Sequence, residues 1–442
     1  MDTPSRFIFD SFEIDKTTRT ILLRYSFDDE LNFTEALPLP ADVPLDLADS
    51  PDVQRALFAL HLAGGVSYYK AFCPKNSMVR SGDLNAEQAT FWNTFYTHGL
   101  GEFFYQNKLD FRGLINFPVT KNTAVTLQKT TVEQTKTLLP FGGGKDSIVT
   151  MQLLQQRGIR PTIFRLRAHK YIDELADLTS LPRITVERQL DPQLFTLNSQ
   201  GAYNGHVPIT GYITFLSIVI ALLSGHDSVA FSNERSADYG NVDYLGMTVN
   251  HQWSKGIEAE KLVTNYIQNF VTNKVQYLNP LRPLSELKIA EIFANYPNFF
   301  AHTTSCNQNW LMLSKDPHQG AWCGHCYKCC FIFALYAAVL PGTTVITMYG
   351  KNLFDDETLL HTYRQLWGAE GIKPFDCVGT PDEMRAAMHL ALKKPEFAQT
   401  PIGRDFATHI VLKNPDTLVQ DILKPDFTNV PPASRKLLEG IL

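Results

Sequence analysis

Three consecutive glycines in the segment 141-FGGGKDS-147 have the residue types and spacing of an anion-binding turn. Glycine adopts backbone angles that are closed to other residues and leaves room for close approach. The N–H groups of Gly142, Gly143 and Gly144 can therefore face a phosphate at the start of the helix that follows. The segment lies where a predicted strand ends and a helix begins, which is where ligands collect in open α/β sheets. A purely structural turn is the alternative.

The residues after the glycines could supply the charge and the ligands that a nucleotide needs. Lys145 can place a positive charge next to a phosphate, and Ser147 can cap the helix or donate to a phosphate oxygen. Asp146 is a hard oxygen ligand suited to nucleotide-bound Mg²⁺. A P-loop is excluded, because that motif requires glycine at the position of Leu139 and serine or threonine at that of Asp146.

Cysteines form a second constellation, since five of the seven lie between Cys306 and Cys330. A C-x-x-C-x-x-C turn joined by one distant cysteine predicts a closed tetrahedral site for structural zinc. The four predicted ligands are Cys306, Cys323, Cys326 and Cys329. An iron–sulfur cluster, reduced core cysteines, and a site in which Cys330 replaces Cys329 are alternatives. His325 is a further candidate ligand, although an exposed turn histidine is the commoner outcome.

The elements that must position these residues follow a β-α-β order. Strands are predicted at 137–141 and 161–166, with helical spacing at 147–158 between them. Further strands at 184–188 and 228–232, around a buried helix that ends near Leu223, extend this unit to a parallel sheet covered by helices. The predicted fold class is therefore α/β.

The chain is predicted to divide into four parts. A strand at 20–25 and helices at 52–62 and 85–97 indicate an N-terminal α+β domain. An apolar helix is expected from Cys330 to about Leu340. The predicted parts are an α+β domain over 1–125, a nucleotide-binding domain over 126–300, a zinc-binding segment with its following helix over 301–345, and a mixed segment over 346–442.

Composition restricts the function classes. With 40 Lys and Arg against 45 Asp and Glu, the formal net charge of −5 argues against a general nucleic-acid binder. At 442 residues and 44% hydrophobic, the chain is typical of a globular protein of two or three domains. No export signal is recognisable, and the apolar stretch 213–223 is about half of the roughly 20 residues that a membrane span needs. We expect a cytoplasmic protein without membrane association, and a homo-oligomer stays open.

The glycine turn resembles the pyrophosphate loop (PP-loop) of the N-type ATP pyrophosphatases, Ser-Gly-Gly-x-Asp-Ser, with Gly142 where serine is usual. This resemblance implies an adenine nucleotide alpha hydrolase-like domain that cleaves ATP to AMP and pyrophosphate. The loop and a four-cysteine site also occur in 7-cyano-7-deazaguanine synthases and some tRNA-thiolating enzymes. A tRNA substrate would favour a basic surface, and no Lys/Arg-rich run is present. A non-catalytic module that retains ATP is a further alternative, against which the retained Asp146 and Ser147 argue.

Seven further segments, in their order along the chain, decide between these groups. They resemble the UDP-N-acetylmuramoyl-L-alanyl-L-glutamate epimerases of peptidoglycan synthesis and read 64-GGVSYYKAF-72, 98-HGLGEFFYQN-107, 203-YNGHVPIT-210, 231-FSNERSADYGN-241, 249-VNHQWSKGIEAE-260, 322-WCGHCYKC-329 and 373-KPFDCVGT-380. The resemblance implies an ATP- and Mg²⁺-dependent inversion of a terminal L-Glu to D-Glu. The carboxylate would be adenylated, AMP and pyrophosphate would be released, and Lys145 and Asp146 would act in catalysis.

Inversion at an α-carbon needs two proton carriers, or one that moves. Cys377 is a candidate because a thiol becomes a competent base when its pKa is lowered. His251, Lys255 and His206 are alternative carriers. For each of them a structural role is the competing interpretation, and an isolated cysteine is commonly a small buried hydrophobe.

Two segments are predicted to contact the substrate. The segment 231–241 begins at the end of a predicted strand, at the edge of the sheet that holds the glycine turn. There Arg235 could pair with a carboxylate or phosphate, and Glu234 could assist Mg²⁺. In the first domain, Tyr68 and its neighbours could stack on uracil and meet phosphate. The predicted contacts are Tyr69, Lys70, His206, Asn233, Glu234, Arg235 and Asn241. A solvated loop and core tyrosines are the alternatives.

Overall fold

A parallel sheet carries the glycine turn at the centre of the molecule. The computed structural model describes residues 4–120, 127, 135–310 and 320–440. The strands in this part of the chain are β1 Arg6–Asp15, β2 Thr20–Phe27, β3 Leu31–Pro38, β4 Asn76–Val79, β5 Thr137–Pro140, β6 Thr162–Arg165, β7 Arg183–Thr185, β8 Ser228–Ala230, β9 Val242–Tyr244, β10 Met247–Val249 and β11 Gln276–Leu278.

Helices connect and cover the strands. They are α1 Pro51–Gly64, α2 Val66–Tyr69, α3 Ala86–Gly99, α4 Gly101–Gln106, α5 Lys145–Gln156, α6 Lys170–Thr179, α7 Pro192–Ser199, α8 Ile209–Ser224, α9 Ile257–Tyr266, α10 Glu286–Phe293, α11 Tyr327–Val339, α12 Gly342–Tyr349, α13 Leu360–Leu366, α14 Pro381–Ala391, α15 Pro395–Ala398, α16 Pro401–His409, α17 Pro415–Leu423 and α18 Pro432–Lys436. Short 3₁₀ turns lie between several of them.

The parallel sheet has the strand order β11-β8-β5-β6-β7. β5 pairs in parallel with β6 on one side and with β8 on the other. The chain therefore winds outwards in both directions from β5, and a crevice opens at the carboxyl end of such a strand. The glycine turn follows β5 at this point, and the segment 231–241 follows β8 at the same edge. The predicted mixed α/β architecture with a parallel sheet is confirmed.

Both faces of the parallel sheet are buried, because alternate side chains enter two different cores. On β5, Leu138 belongs to the core shared with the N-terminal part, whereas Leu139 belongs to the core shared with the C-terminal helices. Val229 and Ala230 of β8 divide in the same way. Each core thus holds one side of the strand that ends in the glycine turn.

The N-terminal sheet, in the order β3-β2-β1-β4, is fixed to the parallel-sheet region. Its strands are antiparallel except for β4, which pairs in parallel with β1. α1 packs against α8. The buried Glu35 of β3 accepts two hydrogen bonds from Arg188, at 2.9 and 2.8 Å, and one from Tyr212 at 2.6 Å. Residues of the N-terminal part are therefore held at fixed positions relative to the parallel sheet and its glycine turn.

The predicted elements are found with small shifts at their ends. The apolar helix predicted at 213–223 is α8, which is buried along nearly all of its length. Among the described residues, no helix combines the length and apolarity required to cross a bilayer. The C-terminal segment, predicted as mixed, consists of helices and short turns. The division into parts at 125, 300 and 345 stays a prediction.

Candidate active site

The glycine turn between β5 and α5 needs its glycines for two different reasons. Gly143 has a φ of +74°, in the left-handed region that side chains rarely adopt. A Cβ atom on Gly144 would lie 2.5 Å from the Ser305 hydroxyl oxygen, so a larger residue would displace that side chain. Gly142 is exposed, with open space where a Cβ would lie. A ligand can therefore approach the backbone closely at Gly142, just before α5, as an anion site requires.

Lys145 is directed into a buried ionic cluster. Its ammonium group donates to Asp146 Oδ1 at 2.5 Å and to Glu286 of α10, and the side chain is fully buried. Burial opposes the charged form, but the two carboxylates outweigh it and raise the pKa of Lys145. Lys328 of α11 donates to the other Glu286 oxygen at 3.2 Å. Lys145 thus neutralises carboxylates behind the turn, and its predicted contact with a phosphate stays a prediction.

Asp146 and Ser147 lie in the first turn of α5. Asp146 keeps 22% of its side chain exposed. Burial raises the pKa of Asp146, and Glu286 and Glu234 act in the same direction against the opposing effect of Lys145. Asp146 and Glu234 thus form an acidic pair near the turn, with hard oxygen atoms of the type that Mg²⁺ prefers.

Ser147 is not a helix cap, so this part of the prediction is wrong. α5 begins at Lys145, two residues before the helical spacing indicated, and Gly144 takes the N-cap position. The Ser147 hydroxyl donates to the Gly144 carbonyl at 3.0 Å. It therefore supports the turn from within the helix.

The thiol of Cys377, an imidazole and a carboxylate form a continuous series of hydrogen bonds. Cys377 Sγ lies 3.6 Å from His251 Nε2, and His251 Nδ1 lies 2.5 Å from Glu102 Oε2 of α4. Burial alone would raise the pKa of Cys377, but Lys255 and His251, assisted by Lys328, lower it to about 7. Burial would lower the pKa of His251, but its bonds to Cys377 and Glu102 raise it to about 10. A thiolate paired with an imidazolium follows from these opposite shifts.

His206 approaches the same carboxylate from a second direction. Its Nδ1 lies 3.5 Å from Glu102 Oε2, and its ring centre is 4.5 Å from that of His251. Burial lowers the pKa of His206 far below its ordinary value, and the charges of His251 and Lys70 add to this effect. His206 is therefore neutral while His251 is charged. Two imidazoles with such separated pKa values can serve as a base and an acid.

Lys70 is buried next to His206 rather than open to a phosphate. Its ammonium group donates to Asn204 Oδ1 at 2.7 Å and to the Gly205 carbonyl at 2.8 Å. Burial lowers the pKa of Lys70 to about 8. In this structure Lys70 holds the segment that presents His206.

Backbone contacts fix Cys377 against His251. Asn241 accepts from the His251 N–H at 2.9 Å and donates to the Pro374 carbonyl at 2.7 Å. Gln252 donates to the Val378 carbonyl at 2.9 Å. The predicted site residue Asn241 is thus brought to the site, where it positions both the imidazole and the thiol-bearing segment.

Lys255 interacts electrostatically with Cys377, with Glu234 and with Asp146 of the glycine turn. Burial opposes the charged form of Lys255, but Cys377 and Glu234 outweigh it and raise its pKa, with a smaller contribution from Asp146. Lys255 therefore remains protonated within reach of both ends of the site. A fixed ammonium group at this place could stabilise an anion that forms during a reaction.

Three predicted contacts are occupied elsewhere. The hydroxyl of the buried Tyr69 donates to the Pro74 carbonyl at 3.1 Å. Tyr68 is fully buried, and its ring stacks on that of Tyr25 with 4.9 Å between centroids. Arg235 donates to the Ile422 and Lys424 carbonyls at the end of α17, at 3.2 and 3.0 Å. In this structure the tyrosines pack in the core and Arg235 caps α17, and their predicted contacts with a substrate stay predictions.

Asn233 lies at the end of β8 with its side chain turned to the sheet. It donates to the Tyr277 hydroxyl at 3.2 Å, and its N–H donates to Asn279 Oδ1 at 3.1 Å. The side chain is 5% exposed. It supports the carboxyl edge of the sheet, whereas the role of orienting a substrate amide stays a prediction.

The four-cysteine cluster has the geometry of a metal site. The sulfur atoms of Cys306, Cys323, Cys326 and Cys329 all lie within 4.8 Å of one another. Cys323 Sγ and Cys329 Sγ are 3.7 Å apart, and tetrahedral Zn–S bonds of about 2.3 Å place sulfurs about 3.8 Å apart. The Cys326 and Cys329 N–H groups each donate to a cluster sulfur at 3.4 Å. The predicted group of four is confirmed as one that could hold a metal ion.

Two alternatives for the cluster fail in the structure. Cys330 is fully buried in the core around α11 and does not belong to the group of four, so it does not replace Cys329. His325 is exposed, and its Nδ1 lies 3.0 Å from the Cys323 carbonyl oxygen. Zinc rather than another metal stays a prediction.

Sequence reasoning did not identify Glu102, Glu286 or Lys328 as site residues. Glu102 lies 149 positions from His251, and Glu286 lies 141 positions from Lys145. No local spacing relates residues at such distances. The only signal for Glu102 was its place in the segment 98–107, which belongs to the resemblance.

Comparison with known proteins gives consistent results over nearly the whole chain. Residues 1–279 match the MurL N-terminal domain, and residues 302–418 match the MurL C-terminal domain. Glu102 and His251 lie in the first region and Cys377 in the second. The candidate active site is therefore assembled from both.

Three curated relatives carry the name UDP-N-acetyl-alpha-D-muramoyl-L-alanyl-L-glutamate epimerase. The protein of Xanthomonas oryzae pv. oryzae is 39% identical over 92% of this chain and 90% of its own length. Those of a Micromonospora species and of Salinispora tropica are 35% and 34% identical over 90% of this chain, and 89% and 87% of their own lengths. No solved structure matches. With both family regions matched and relatives aligned over most of its length, the chain belongs to the MurL epimerase family.

Proposed function

We propose that the protein converts the terminal L-Glu of UDP-N-acetylmuramoyl-L-Ala-L-Glu into D-Glu, in an ATP- and Mg²⁺-dependent reaction that releases AMP and pyrophosphate. The observation that carries this proposal is the low-pKa thiol of Cys377, bonded to His251 and electrostatically linked through Lys255 to Asp146 of the glycine turn. The names of the curated relatives support the substrate. The reaction would serve the cytoplasmic stage of peptidoglycan precursor synthesis.

ATP solves a problem of acidity in this reaction. The hydrogen to be removed lies next to a carboxylate, whose negative charge opposes a second negative charge on the α-carbon. Adenylation converts the carboxylate into a mixed anhydride, so the developing charge is delocalised into a carbonyl oxygen. The C–H bond then breaks, its electron pair stays as an enolate, and a proton returns to the opposite face. Hydrolysis of the anhydride releases AMP and the inverted acid.

The glycine turn is the proposed nucleotide site, of the PP-loop type. Its backbone N–H groups would hold the phosphates, while Lys145 keeps Asp146 in place. Asp146 and Glu234 would hold Mg²⁺, which neutralises phosphate charge when bound. The open space at Gly142 supports this assignment.

Cys377 is the proposed carrier on one face of the α-carbon. Its thiolate would take the α-hydrogen, and the paired imidazolium of His251 keeps the thiol ionised before the step. Lys255 would stabilise the enolate oxygen. His206, which shares Glu102 with His251, is the proposed carrier for the other face. It would give its ring proton to the α-carbon while the proton of the His251 imidazolium replaces it through Glu102, and the Cys377 thiol would then return its proton to His251.

The test is an isotope experiment in deuterated water. Purified protein is incubated with ATP, Mg²⁺ and UDP-N-acetylmuramoyl-L-Ala-L-Glu. The product is then hydrolysed to release its glutamate, and the glutamate enantiomers are resolved. We expect D-Glu with deuterium at the α-carbon and AMP in proportion. L-Glu that stays unchanged, with no AMP formed, would remove the proposal and return attention to nucleobase substrates.

Two variants separate the steps. Asp146→Ala should abolish both AMP and D-Glu, because adenylation comes first. Cys377→Ser keeps the size of the side chain but lacks an acidic thiol, so D-Glu formation should fall by about 10²-fold or more. AMP formation in this variant should persist, and its loss together with D-Glu would contradict the separate roles.

A further inference from the structure

Residues on both sides of Cys306 extend in opposite directions to the two halves of the site. We call residues 303–307 the bridge segment. Cys306 is fully buried and belongs to the four-cysteine cluster. The residues before it contact the glycine turn, and the residue after it contacts the segment that carries Cys377. A candidate metal ligand thus lies between two parts of the candidate active site.

The first arm of the bridge segment holds the glycine turn. The Thr303 hydroxyl donates to the Gly143 carbonyl at 3.0 Å, and the Thr304 N–H donates to the same oxygen at 3.1 Å. Ser305 lies against Gly144 so closely that a Cβ there would be 2.5 Å from its hydroxyl oxygen. Because Thr303 and Thr304 are fully buried, this contact is shielded from water. The arm fixes the residue whose left-handed conformation shapes the turn.

The second arm reaches the thiol through a shared carboxylate oxygen. Asn307 Nδ2 donates to Asp376 Oδ1 at 2.5 Å. The same oxygen accepts from the Cys377 N–H at 2.6 Å. Asp376 is 5% exposed, so its carboxylate is held by these donors rather than by bulk solvent. A displacement of Asn307 would therefore be transmitted to Cys377, whose sulfur needs its 3.6 Å contact with His251.

The cluster itself holds the bridge segment in place. Thr304 Oγ1 donates to the Ala321 carbonyl at 2.5 Å, next to the cysteine turn. Asn309 Nδ2 donates to both Thr304 Oγ1 and the Ala321 carbonyl, at 2.9 and 3.0 Å. A metal ion bound by Cys306 and the cysteine turn would hold the bridge segment and the segment around Ala321 together.

We propose that a metal ion at the four cysteines sets the position of the glycine turn and of Cys377 at the same time, through Thr303 on one side and Asn307 on the other. The metal then does more than stabilise the local fold around the cysteines, because nucleotide binding and thiol reactivity both depend on it. Thr303, Asn307 and Asp376 are positioning residues in this scheme. The nucleotide half of the inference rests on the proposed function, whereas the thiol half does not.

The test uses one variant for each arm in the metal-loaded full-length protein. Thr303→Val removes the hydroxyl donor to Gly143 and should raise the Kd for Mg·ATP about fivefold. The rate of Cys377 alkylation should not change in this variant. Asn307→Ala should lower kcat about tenfold and slow the alkylation of Cys377 by iodoacetamide at pH 7 severalfold, with the Kd for Mg·ATP held. Alkylation is followed on the Cys377 peptide by mass spectrometry. Gln308→Ala is the control, since Gln308 makes no side-chain hydrogen bond within the described chain.

Removal of the metal should combine the two effects. Chelation is expected to weaken Mg·ATP binding and to slow Cys377 alkylation together, and added Zn²⁺ should restore both. Unchanged ATP binding and thiol reactivity in folded, metal-free protein would overturn the proposal, as would equal effects of both variants on both readouts. If chelation unfolds the protein, the two single variants decide alone. Wild-type protein that binds no ATP would refute the proposed function, and the Asn307 arm would still be tested by alkylation.

Discussion

At the scale of single residues, the candidate site depends on pKa values that are moved apart by their neighbours. Cys377 and His251 shift in opposite directions because each stabilises the charged form of the other. Lys255 and Lys328 also lower the pKa of the thiol, and Glu102 also raises that of the imidazole. The charged pair therefore exists over a window of pH, with its lower limit at the thiol and its upper limit at the imidazole.

This window predicts a bell-shaped pH profile for kcat/KM. Activity should rise as pH passes about 7, where Cys377 loses its proton, and fall near 10, where His251 loses its own. Glu102→Gln removes the negative charge behind His251, so the pKa of His251 should fall and that of Cys377 should rise. We expect the lower limb of the profile to move to higher pH and the maximal rate to fall about 10-fold to 100-fold.

A matched control is available for this carboxylate. Glu258 is half exposed, and its Oε2 lies 3.4 Å from His98 Nδ1. This carboxylate–imidazole pair differs from that of Glu102 and His251 because the described residues place no thiol against His98. Glu258→Gln should leave the pH profile unchanged. A Glu102→Gln profile that coincides with the wild type would show that the carboxylate does not tune the thiol.

At the scale of secondary structure, α5 connects backbone conformation to the proposed nucleotide site. Both ends of this helix are flanked by glycines in the left-handed region, Gly143 at φ +74° before it and Gly158 at φ +73° after it. A Cβ at Gly143 would lie 3.0 Å from Ile172, whereas at Gly158 it would meet nothing within 4 Å. The two positions thus share a backbone cost but differ in their surroundings.

Gly143→Ala should weaken Mg·ATP binding by more than its loss of stability explains. The left-handed conformation costs a side-chain-bearing residue about 1–2 kcal/mol, and Gly158→Ala incurs the same cost at the far end of α5. Gly158→Ala should therefore lose about this much stability in denaturant, and Gly143→Ala more, because its Cβ would also crowd Ile172. Only Gly143→Ala moves the N–H groups of the turn. We expect at least a tenfold higher Kd for Gly143→Ala by calorimetry. Equal Kd values for the two variants would contradict a nucleotide site at the turn.

At the scale of the whole molecule, local pattern predicted the elements, and long-range packing decided the site. The β-α-β order, the glycine turn and the C-x-x-C-x-x-C turn are encoded within short windows of sequence, and each was found where expected. Glu102 and Glu286 were missed because their partners lie more than a hundred positions away. The contacts of Tyr69 and Arg235 with the rest of the fold were not predicted, because an aromatic or a guanidinium group looks alike in sequence whether it meets a ligand or the core.

Glu286 shows how such a long-range contact supports the entire fold. It lies on α10 and joins Lys145 of α5 to Lys328 of α11, all three nearly or fully buried. Burial alone would raise the pKa of Glu286, but the two lysines outweigh it and hold the pKa well below its ordinary value. A depressed carboxylate pKa contributes stability above the unfolded value of about 4.3, and this contribution is lost as pH falls below it.

Glu286→Gln should therefore destabilise the protein by about 3–5 kcal/mol, because two buried ammonium groups lose their shared counter-charge. Glu291→Gln on the same helix is the control: its carboxylate is 45% exposed and pairs with Lys288 at 2.5 Å, so its removal should cost less than about 1 kcal/mol. Urea unfolding at pH 7 and at pH 4 measures both. The wild type should lose stability towards the lower pH, and the difference between wild type and Glu286→Gln should begin to shrink at pH 4, because the unfolded carboxylate takes up a proton there while the native one, with its pKa at about 2, remains charged. A constant difference at every pH would show that the charge of Glu286 is not what holds α5, α10 and α11 together.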